Sequence, residues 1–496
     1  MKKLLLGLCM AALCSHSALA ADAPRDAFFW LGQINKATDV VNTSENLLTP
    51  DEGRTFARGI DKVLQQGNAP GGARPNLVIT FEPYLINAAG PQITKLHAGR
   101  SSQDMLSTVN YAMTREDVLA LAVALNKMQA TLIKLADEQQ NTIVPSYTNG
   151  VAAQPTSYGH YLLAYSDAFS RDSARLQAYY KRLNRSPMGT TVLNGTGWPL
   201  NRDKMAAYLG FDDIAYNAYD AVQVYSMESP VEAGAVASTI ALHIGSFIED
   251  IMQQYAQPRP WILLKEGGGN TYVSSAMPQK RNPGILNSAR RDASDILGAA
   301  TTTLFRSHNI PPGMADPRSH ETNKMIQQTT ALVNKFDHIL NALVINPQRS
   351  LEELNLDWTC SQEIADVLMR KYNIPFRTGH HFASEIVTYA RANNIPPSHF
   401  TYADAQKIYS QLASGDSTLP QTLPMTEADF KAALDPVAIV NNRATKGGPQ
   451  KAEIAVMLRR ARQSLDSNKA WVNKQNTKLQ AAENKLNNDF NALLNQ

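Results

Sequence analysis

Apolar residues recur at alternating intervals of three and four along much of the chain, which is the spacing of one face of an amphipathic helix. The first long run begins at Val118, after a start signal at Thr114 and Asp117, and Pro145 lies beyond its end. Four further runs follow, at about 157–185, 230–255, 283–304 and 321–345. The pattern therefore predicts five long helices in the middle of the chain.

Several of these predicted helices carry apolar residues on more than one face, so they need packing partners on all sides. This favours a helical bundle and an oligomer over a helical repeat array, because no fixed repeat period runs along the chain. A further helix is predicted at 452–496, and one of the few strand signals lies at 76–81. The predicted fold class is mainly all-α.

The first twenty residues show the order of features that is typical of a secretory signal peptide. Lys2 and Lys3 precede an apolar stretch, and Ala18-Leu19-Ala20 is a small-x-small cleavage pattern. The apolar stretch is too short to span a bilayer, and no later segment is predicted to be apolar for long enough to do so. Cleavage after Ala20 would give a soluble periplasmic or secreted protein; an N-terminal anchor is the alternative.

The composition limits the class of partner. Without Lys2 and Lys3, 45 of the 47 basic residues remain against 44 acidic ones, and the charges are interspersed. This favours neither nucleic acid nor a membrane surface as partner. Only Cys360 of the three cysteines follows the signal peptide, which excludes an intrachain disulfide. No spacing of His, Cys or carboxylate residues predicts a metal site, and no cofactor is predicted.

The segment 274–283 has the sequence features of a site for a carboxylate. It joins a glycine-rich stretch to the fourth predicted helix, with Asn282 as the predicted N-cap and Pro283 in the first turn. The positive end of that helix dipole and the charge of Lys280 favour both a bound carboxylate and an ionised Ser274 side chain. A loop serine that makes only local hydrogen bonds is the alternative interpretation.

Residues 274–283 resemble the signature loop GSSxMPxKxNP of the argininosuccinate lyase/fumarase superfamily, with Val273 in place of the leading glycine. Other segments are similar to the argininosuccinate lyase branch: 95–104 to KLHTGRSRND, 147–160 to YTHLQRAQP followed by GH, 217–221 to NSLDA, and 374–380 with 447–449 to the C-terminal domain. The resemblance extends over nearly the whole chain after residue 20.

This resemblance implies a three-domain subunit, with an N-terminal domain at 21–117, a central long-helix bundle at 118–374 and a C-terminal helical domain at 375–496. It also implies a homotetramer with a twenty-helix core and active sites shared between three subunits. The implied reaction is a β-elimination that expels an amine or hydroxyl from a succinyl-type substrate and releases fumarate, so a small dicarboxylate-type substrate is the expected partner.

When the family's residue roles are carried over by position, the resemblance implies that Ser274 is the base. It also implies that Lys280 and Asn282 hold the substrate carboxylate that takes up negative charge. The expected substrate contacts are Ser101, Ser102, Thr148, Gln154 and Met277. Asn149 stands at the catalytic position of the family histidine, but it can hydrogen-bond and cannot titrate. Tyr147 is the alternative acid, and a leaving group that departs without help is the other possibility.

Two further departures bear on the substrate. The family's SDRD run reads Gln-Val-Tyr-Ser-Met-Glu at 223–228, and the YNRDLQEDKE segment, which helps to bind the arginine part, has no match at 314–321. Argininosuccinate is therefore not the predicted substrate, and the leaving group stays open. A catalytically weak dicarboxylate-binding or structural relative is the alternative function. The lost histidine favours it, whereas the retained Ser274, Lys280 and Asn282 favour the lyase.

Overall fold

The computed structural model describes residues 24–314 and 321–495. The predicted signal peptide at 1–20 lies outside these residues, as does most of the segment 314–321. The described chain divides into two compact units, one of residues 24–98 with 488–495 and the other of residues 99–487. The predicted fold class is confirmed, because the described residues are mainly α-helical.

Residues 24–98 form α1 (Ala27–Ser44), α2 (Pro50–Asn68), α3 (Val78–Ala89) and a 3-10 turn at Pro91–His97. Helix α2 begins with a capping box, because Thr49 Oγ1 accepts from the N–H of Glu52 while the Glu52 carboxylate accepts from the N–H of Thr49. The strand predicted at 76–81 is wrong. This segment enters α3, where Phe81 and Leu85 are buried four residues apart on one helix face.

The second unit contains the five long helices that the apolar spacing predicts. Their bounds are Ser102–Glu138 for α4, Tyr158–Leu183 for α5, Tyr225–Tyr255 for α7, Gly284–Ser307 for α8 and Thr322–Ala342 for α9. The short helix α6 (Arg202–Tyr208) and a π-helical turn at Asp220–Val224 precede α7. Helix α7 packs on α5, α8 and α9, and α4 packs on α5 and α9, so these helices form one bundle.

Three phenylalanines from different helices meet inside this bundle. The ring of Phe336 on α9 lies 5.8 Å from that of Phe169 on α5 and 5.2 Å from that of Phe247 on α7, between centroids. All three side chains are fully buried. Aromatic rings at these separations add specific contacts to the burial of apolar area, which holds α5, α7 and α9 together.

Helix α4 begins at Ser102, well before the start predicted at Thr114. The difference arises because the first turns bury polar side chains, so apolar spacing does not mark them. Asp104, Thr108 and Arg115 are fully buried. Arg115 donates hydrogen bonds to Asn184 Oδ1 at 2.8 Å and to the Leu209 carbonyl at 3.0 Å, and such partners let a charged side chain lie in the core.

Short two-stranded sheets join the helices. The pairs are β1 (Ile143–Thr148) with β2 (Val151–Ser157), β3 (Arg185–Ser186) with β4 (Asp213–Ile214), β5 (Ile262–Leu264) with β8 (Leu343–Ile345), and β6 (Tyr272–Val273) with β7 (Arg281–Asn282). The β3–β4 pair is parallel and the others are antiparallel. The β5–β8 pair ties the segment after α7 to the end of α9.

Shorter helices follow β8. They are α10 (Pro347–Leu356), α11 (Ser361–Tyr372), α12 (Phe376–Ala392), α13 (Tyr402–Ala413), α14 (Glu427–Ala433) and α15 (Pro436–Asn441), with a 3-10 turn at Pro397–His399. Four of them, α11 to α14, share an apolar core that includes Phe382, Tyr409 and Phe430. The last helix, α16 (Lys451–Leu494), confirms the helix predicted at 452–496. Cys360 is buried, and burial raises the pKa of its thiol to about 12, which makes it an unreactive packing residue.

Two helical stretches are long and apolar enough to cross a membrane by length and composition: Ser102–Glu138 and Asp220–Tyr255. The sequence prediction that no segment after residue 20 meets this criterion is therefore wrong. The most apolar windows of these stretches are 61% and 50% buried inside the structure. Buried core helices pass the same test, so the finding is weak evidence for a membrane span.

Candidate functional site

The segment 272–282, which we name the Ser274 hairpin, is approached through a glycine-rich turn. Gly267, Gly268 and Gly269 have φ angles of 75°, 60° and 83°, in the left-handed region that favours glycine. Asn270 ends this turn. Its N–H donates to the Gly267 carbonyl at 2.9 Å, and its carbonyl accepts from the N–H of Ile285 in α8 at 3.2 Å. The turn is thereby attached to the start of α8.

The side chain of Asn270 attaches the same turn to helix α9. Its Oδ1 accepts from His338 Nε2 at 2.8 Å, and its Nδ2 donates to the Lys265 carbonyl at 3.2 Å. Asn270 is 6% exposed, so both polar atoms of its amide are satisfied inside the protein. Neither Asn270 nor His338 was predicted from the sequence as part of the site, because no local sequence pattern marks them.

The side chain of Ser274 accepts hydrogen bonds from the main chain at the turn of the Ser274 hairpin. The amide nitrogens of Ala276 and Met277 lie 3.4 Å and 3.2 Å from Ser274 Oγ. Two N–H donors that converge on one oxygen stabilise negative charge on it. This geometry favours an ionised Ser274, and it also satisfies the alternative interpretation of a serine with local hydrogen bonds.

Lys280 and Met277 close the turn of the Ser274 hairpin through their main chains. The N–H of Lys280 donates to the Met277 carbonyl at 3.0 Å, and the Lys280 carbonyl accepts from the N–H of Ser274 at 3.2 Å. Both side chains are exposed, and among the described residues no acidic side chain pairs with Lys280. The charge of Lys280 is therefore available to an anion that approaches this turn.

Asn282 lies in β7, half-buried, opposite Tyr272 of β6. Its Nδ2 donates to the Tyr272 carbonyl at 3.4 Å. The prediction that Asn282 caps the helix is wrong, because α8 begins at Gly284 and Pro283 takes the cap position. Strand pairing with Tyr272 holds Asn282 outside the helix, next to its positive end.

Thr148 and Asn149 lie at the tip of the β1–β2 hairpin (residues 143–157), which we name the Asn149 hairpin. Asn149 and Gly150 form a two-residue loop with φ angles of 52° and 77°, between the paired Thr148 and Val151. These angles fit a type I′ turn, for which Asn-Gly is a preferred sequence. Asn149 is therefore an exposed turn residue, and the Asn-Gly signal was available in the sequence and missed.

Residues after the tip of the Asn149 hairpin hold neighbouring segments in place. Gln154 is exposed, and its Nε2 donates to Gln362 Oε1 in α11 at 2.8 Å. In the first turn of α5, His160 Nδ1 lies 3.1 Å from Thr156 Oγ1 and its Nε2 lies 2.9 Å from the Gly447 carbonyl. These contacts position the segment around Gly447 against the start of α5.

Tyr147, the alternative acid, lies in β1 next to the tip of the Asn149 hairpin, and its hydroxyl is part of a polar cluster. Its hydroxyl donates to Glu353 Oε1 at 2.5 Å and accepts from Gln254 Nε2 at 3.0 Å and Trp261 Nε1 at 3.4 Å. Burial raises the pKa of Tyr147 to about 12, and the hydrogen bond to Glu353 acts in the same direction. The hydroxyl therefore keeps its proton at neutral pH and is a weak acid.

Ser101 and Ser102 lie at the start of α4, where Ser101 is the N-cap. Ser101 Oγ accepts from the N–H of Gln103 at 3.4 Å, and Asp104 Oδ1 accepts from the N–H of Ser101 at 2.8 Å. Asp104 Oδ2 accepts from the N–H of Thr191 at 3.1 Å, while burial raises the pKa of the Asp104 carboxyl. Both serines are half-buried at the positive end of a long helix, where an anion is favoured.

The two ends of α4 separate the predicted substrate contacts. Helix α4 has 37 residues. A helix of that length spans about 55 Å at a rise of 1.5 Å per residue. Ser101 and Ser102 lie at the start of this helix, whereas Thr148, Asn149 and the rest of the Asn149 hairpin follow its end. The predicted contacts therefore lie at opposite ends of the bundle.

The Ser274 hairpin lies at the same end of the bundle as the Asn149 hairpin. At the last residue of α8, Ser307 Oγ donates to the Met227 carbonyl near the start of α7 at 2.8 Å, so the two helices are antiparallel. The first residues of α8 thus lie beside the end of α7, where Gln254 contacts Tyr147. Among the described residues, no hydrogen bond joins the two hairpins. The described chain does not bring Ser101 and Ser102 to Ser274.

No group of three or more His, Cys, Asp or Glu residues that could hold a metal ion occurs in residues 24–314 and 321–495. The site candidates at the hairpins are instead hydroxyls, amides, main-chain N–H groups and one lysine. Such groups bind and polarise carboxylates and stabilise negative charge on them.

Comparison with known sequences finds two matching family models and several similar lyases. The profile of the family described as "Lyase" matches residues 83–298, and that described as "Argininosuccinate lyase C-terminal" matches residues 358–441. Argininosuccinate lyase 1 of Shouchella clausii is 28% identical over 416 residues, which cover 83% of this chain and 82% of that protein. Argininosuccinate lyase of Methanoculleus marisnigri is 28% identical over 405 residues, covering 81% and 79%.

Solved structures show the same fold. EDDS lyase in complex with formate has a TM-score of 0.87 at 24% identity, covering 95% of this chain and 92% of that one. A fumarate lyase from Mesorhizobium sp. has a TM-score of 0.66 at 13% identity, covering 88% and 96%. The chain therefore has the fold of these lyases. The two family models and the argininosuccinate lyases support the superfamily assignment that the sequence predicts.

Proposed function

We propose that this chain is a lyase that eliminates an amine or hydroxyl from a succinyl-type substrate and releases fumarate. The observation that carries the proposal is the pair of main-chain N–H groups that converge on Ser274 Oγ, in a hairpin that leads into α8. The names of its relatives support the same chemistry, since they are argininosuccinate lyases, and a variant of EDDS lyase has been solved with bound fumarate.

In the proposed reaction, Ser274 removes a proton from the carbon beside a substrate carboxylate. That carboxylate takes up negative charge in the intermediate, and Lys280 and Asn282 hold it. The electron pair then forms the carbon–carbon double bond while the leaving group departs from the neighbouring carbon. The N–H groups of Ala276 and Met277 stabilise the ionised Ser274 before the proton is transferred.

An amine fits the proposed leaving group better than a hydroxyl does. Asn149 lies at an exposed turn and cannot titrate. The hydroxyl of Tyr147 donates a hydrogen bond to Glu353, and its pKa is about 12, so it releases its proton poorly. A substrate ammonium already carries its proton at neutral pH, so it leaves as a neutral amine without an acid. Hydroxide would need a proton donor that neither residue offers.

The complete site is proposed to form between subunits of a homotetramer. Because α4 is about 55 Å long, Ser101 and Ser102 of one subunit meet the Ser274 hairpin only on another, antiparallel subunit. Exposed apolar side chains on the long helices support such contacts: Val123 on α4 is 52% exposed, Leu242 on α7 60% and Phe305 on α8 76%. Apolar residues exposed in this way favour packing against a partner surface.

A panel of N-substituted aspartates tests the activity, with fumarate followed by its ultraviolet absorbance. Ser274→Ala is expected to lower kcat by about 100- to 10,000-fold, because it removes the proton-accepting group. Ser275→Ala, at the exposed neighbouring position, is the matched control and is expected to keep its activity. If an intact oligomer forms no fumarate from any compound of the panel, the result would support the alternative function of a dicarboxylate-binding or structural relative.

Argininosuccinate itself tests the substrate assignment. The SDRD-like and YNRDLQEDKE-like patterns are absent from 223–228 and 314–321, so the arginine part lacks its expected contacts. No turnover of argininosuccinate is expected. A rate constant of about 1 per second or more, which is typical of enzymes acting on their own substrates, would overturn the assignment.

Mixing of inactive variants tests the shared site. Subunits carrying Ser274→Ala and subunits carrying Ser102→Ala are each expected to be inactive alone. After mixed refolding, about a quarter of the sites would pair two intact segments from different subunits, and activity should return to that extent. A monomer in light scattering, or no recovery from mixed oligomers, would contradict the proposal.

Export is the remaining part of the proposal. The order of charge, apolar stretch and Ala18-Leu19-Ala20 supports cleavage after Ala20 and a periplasmic or secreted location. Protein recovered from the periplasmic fraction or the medium is expected to begin at Ala21. An intact N-terminus on protein found only in the cytoplasm would contradict this.

A further inference from the structure

A cavity of about 130 Å³ lies at the base of the Asn149 hairpin, between β1, the start of β5 and the end of α7. None of the residues assigned to substrate or proton transfer lines it, apart from the alternative acid Tyr147. Part of its wall is aromatic, formed by Tyr147, Tyr158, Tyr161 and Trp261. The ring of Tyr158 is stacked on Tyr161 at 5.5 Å and meets the edge of Trp261 at 5.4 Å, between centroids. Aromatic rings that border a cavity favour a cation as its occupant.

The cavity contains a buried acceptor without a donor. Gln254, which is 4% exposed, uses its Nε2 to donate to the Tyr147 hydroxyl at 3.0 Å. Its Oε1 is buried and has no hydrogen-bond partner among the described residues. A buried carbonyl oxygen left in this way destabilises the protein, so an occupant with an N–H or O–H donor is favoured.

The cavity also holds a negative charge without a cation. Asp250 is half-buried, and its Oδ2 accepts from the Tyr161 hydroxyl at 2.6 Å. In residues 24–314 and 321–495, no lysine, arginine or histidine forms an ion pair with Asp250. A carboxylate beside aromatic faces attracts a positive charge, and the unpaired Gln254 oxygen requires that this cation carry N–H or O–H donors.

We propose that this cavity binds a small primary ammonium ion. Its N–H groups donate to Gln254 Oε1 and to the Asp250 carboxylate, and its alkyl part lies against Tyr158 and Trp261. A quaternary ammonium has the charge but no donor for Gln254. The ammonium can be a free amine or the amino end of a longer substrate, since both present the same group. The inference concerns binding and does not depend on the elimination at Ser274.

Ethylammonium binding to the full-length folded chain, followed by isothermal titration, tests the site. Wild type is expected to bind ethylammonium, whereas Gln254→Met and Asp250→Asn should each bind about tenfold or more weakly, as expected for loss of one charge-assisted hydrogen bond. Gln253→Met is the matched control, because Gln253 is exposed on the same helix, and it should bind as wild type does. Tetramethylammonium should bind about tenfold or more weakly than ethylammonium.

Three results would overturn the proposal: no ethylammonium binding to wild type, equal binding to all three variants, or equal binding of tetramethylammonium. Circular dichroism and the oligomeric state show whether each variant folds. Asp250→Asn and Gln254→Met change different side chains, so the test stands if one of them fails to fold.

Displacement from the Ser274→Ala variant, which leaves substrates intact, separates the two sources of the ammonium. Displacement of ethylammonium by N-(4-aminobutyl)aspartate but not by N-pentylaspartate would identify the amino end of a longer substrate. If neither aspartate derivative displaces ethylammonium, the natural occupant of the cavity is a free amine. Equal displacement by both would contradict the proposal, because the shared aspartate or alkyl chain would then be the recognised group.

Discussion

The Nε2 of His338 lies 2.8 Å from the Oδ1 of Asn270, and this contact ties the glycine-rich turn before the Ser274 hairpin to the core helix α9. Because the amide oxygen accepts, Nε2 carries the proton of the ring. The carbonyl of Asn270 also accepts from the N–H of Ile285 at the start of α8. We therefore expect Asn270 to act as a positioning residue, which orients the proposed base without touching the substrate.

Replacing Asn270 with alanine is expected to lower kcat by about tenfold, because small displacements of a reacting group have effects of at least that size. The unpaired His338 should also destabilise the protein by about 1 to 3 kcal/mol. Fumarate formation and hydrogen exchange of 272–282 measure the two effects. Asn270→Asp keeps an oxygen for His338 but loses the donor to the Lys265 carbonyl, so its kcat is expected to lie between those of wild type and Asn270→Ala. Equal kcat values for wild type and Asn270→Ala would show that the turn does not position Ser274.

The sequence predicts most of the bundle because the residues at the helix contacts are apolar and recur with the helical period. Helices α5 and α9 lie within a few residues of their predicted bounds. The spacing fails where the core is polar, as at Asp104 and Arg115 in the first turns of α4. It also fails at 76–81, where a short apolar run fits strand and helix equally well.

The site is predictable only where it is contiguous in the chain. Ser274, Lys280 and Asn282 lie within nine residues, and the main chain of one hairpin brings them together. The contacts of Asn270 with His338 and of Tyr147 with Glu353 join residues 68 and 206 positions apart. Such contacts arise from tertiary packing, which periodicity and motif spacing do not specify.

Introducing histidine at Asn149 tests whether the tip of the Asn149 hairpin reaches the reacting atoms. The position is exposed, so the imidazole should titrate near its usual pKa of about 6.5. Histidine also tolerates the left-handed φ of 52° better than most residues. Asn149→His is therefore expected to add a step near that pH to the pH dependence of kcat, and Asn149→Gln should not. Coincident curves for wild type and Asn149→His would place the tip away from the chemistry.

Substituting Gly150 with alanine isolates the backbone contribution of the same turn. Gly150 has a φ of 77°, and no heavy atom lies within 4 Å of the position that a Cβ would take. The expected loss of unfolding free energy is about 1 kcal/mol, which comes from the left-handed backbone alone. Gly415→Ala, at a similarly open position without a left-handed φ, should instead be neutral or slightly stabilising. Equal melting temperatures for Gly150→Ala and wild type would argue against the type I′ turn.

Asp39 on α1 makes the stability of residues 24–98 depend on pH. It is fully buried, and neither carboxylate oxygen has a hydrogen-bond partner among the described residues. Burial raises its pKa from 3.8 to about 8. Between these values the folded state keeps the proton and the unfolded state does not. This group therefore lowers the free energy of unfolding as pH rises from about 4 to 8, with no further change above that range.

Asp39→Asn removes this titration and keeps the size of the side chain. The variant is expected to unfold with a free energy higher than that of wild type by at least about 2 kcal/mol at pH 8. At pH 4 the two should be nearly equal, because the wild-type carboxyl is then neutral in the folded state. Urea unfolding at both pH values, followed by circular dichroism, measures the difference. Asp466→Asn, at an exposed position, is the control and should show no pH-dependent gain. A gain for Asp39→Asn that is the same at both pH values would mean that this carboxyl is ionised in the folded protein throughout the range.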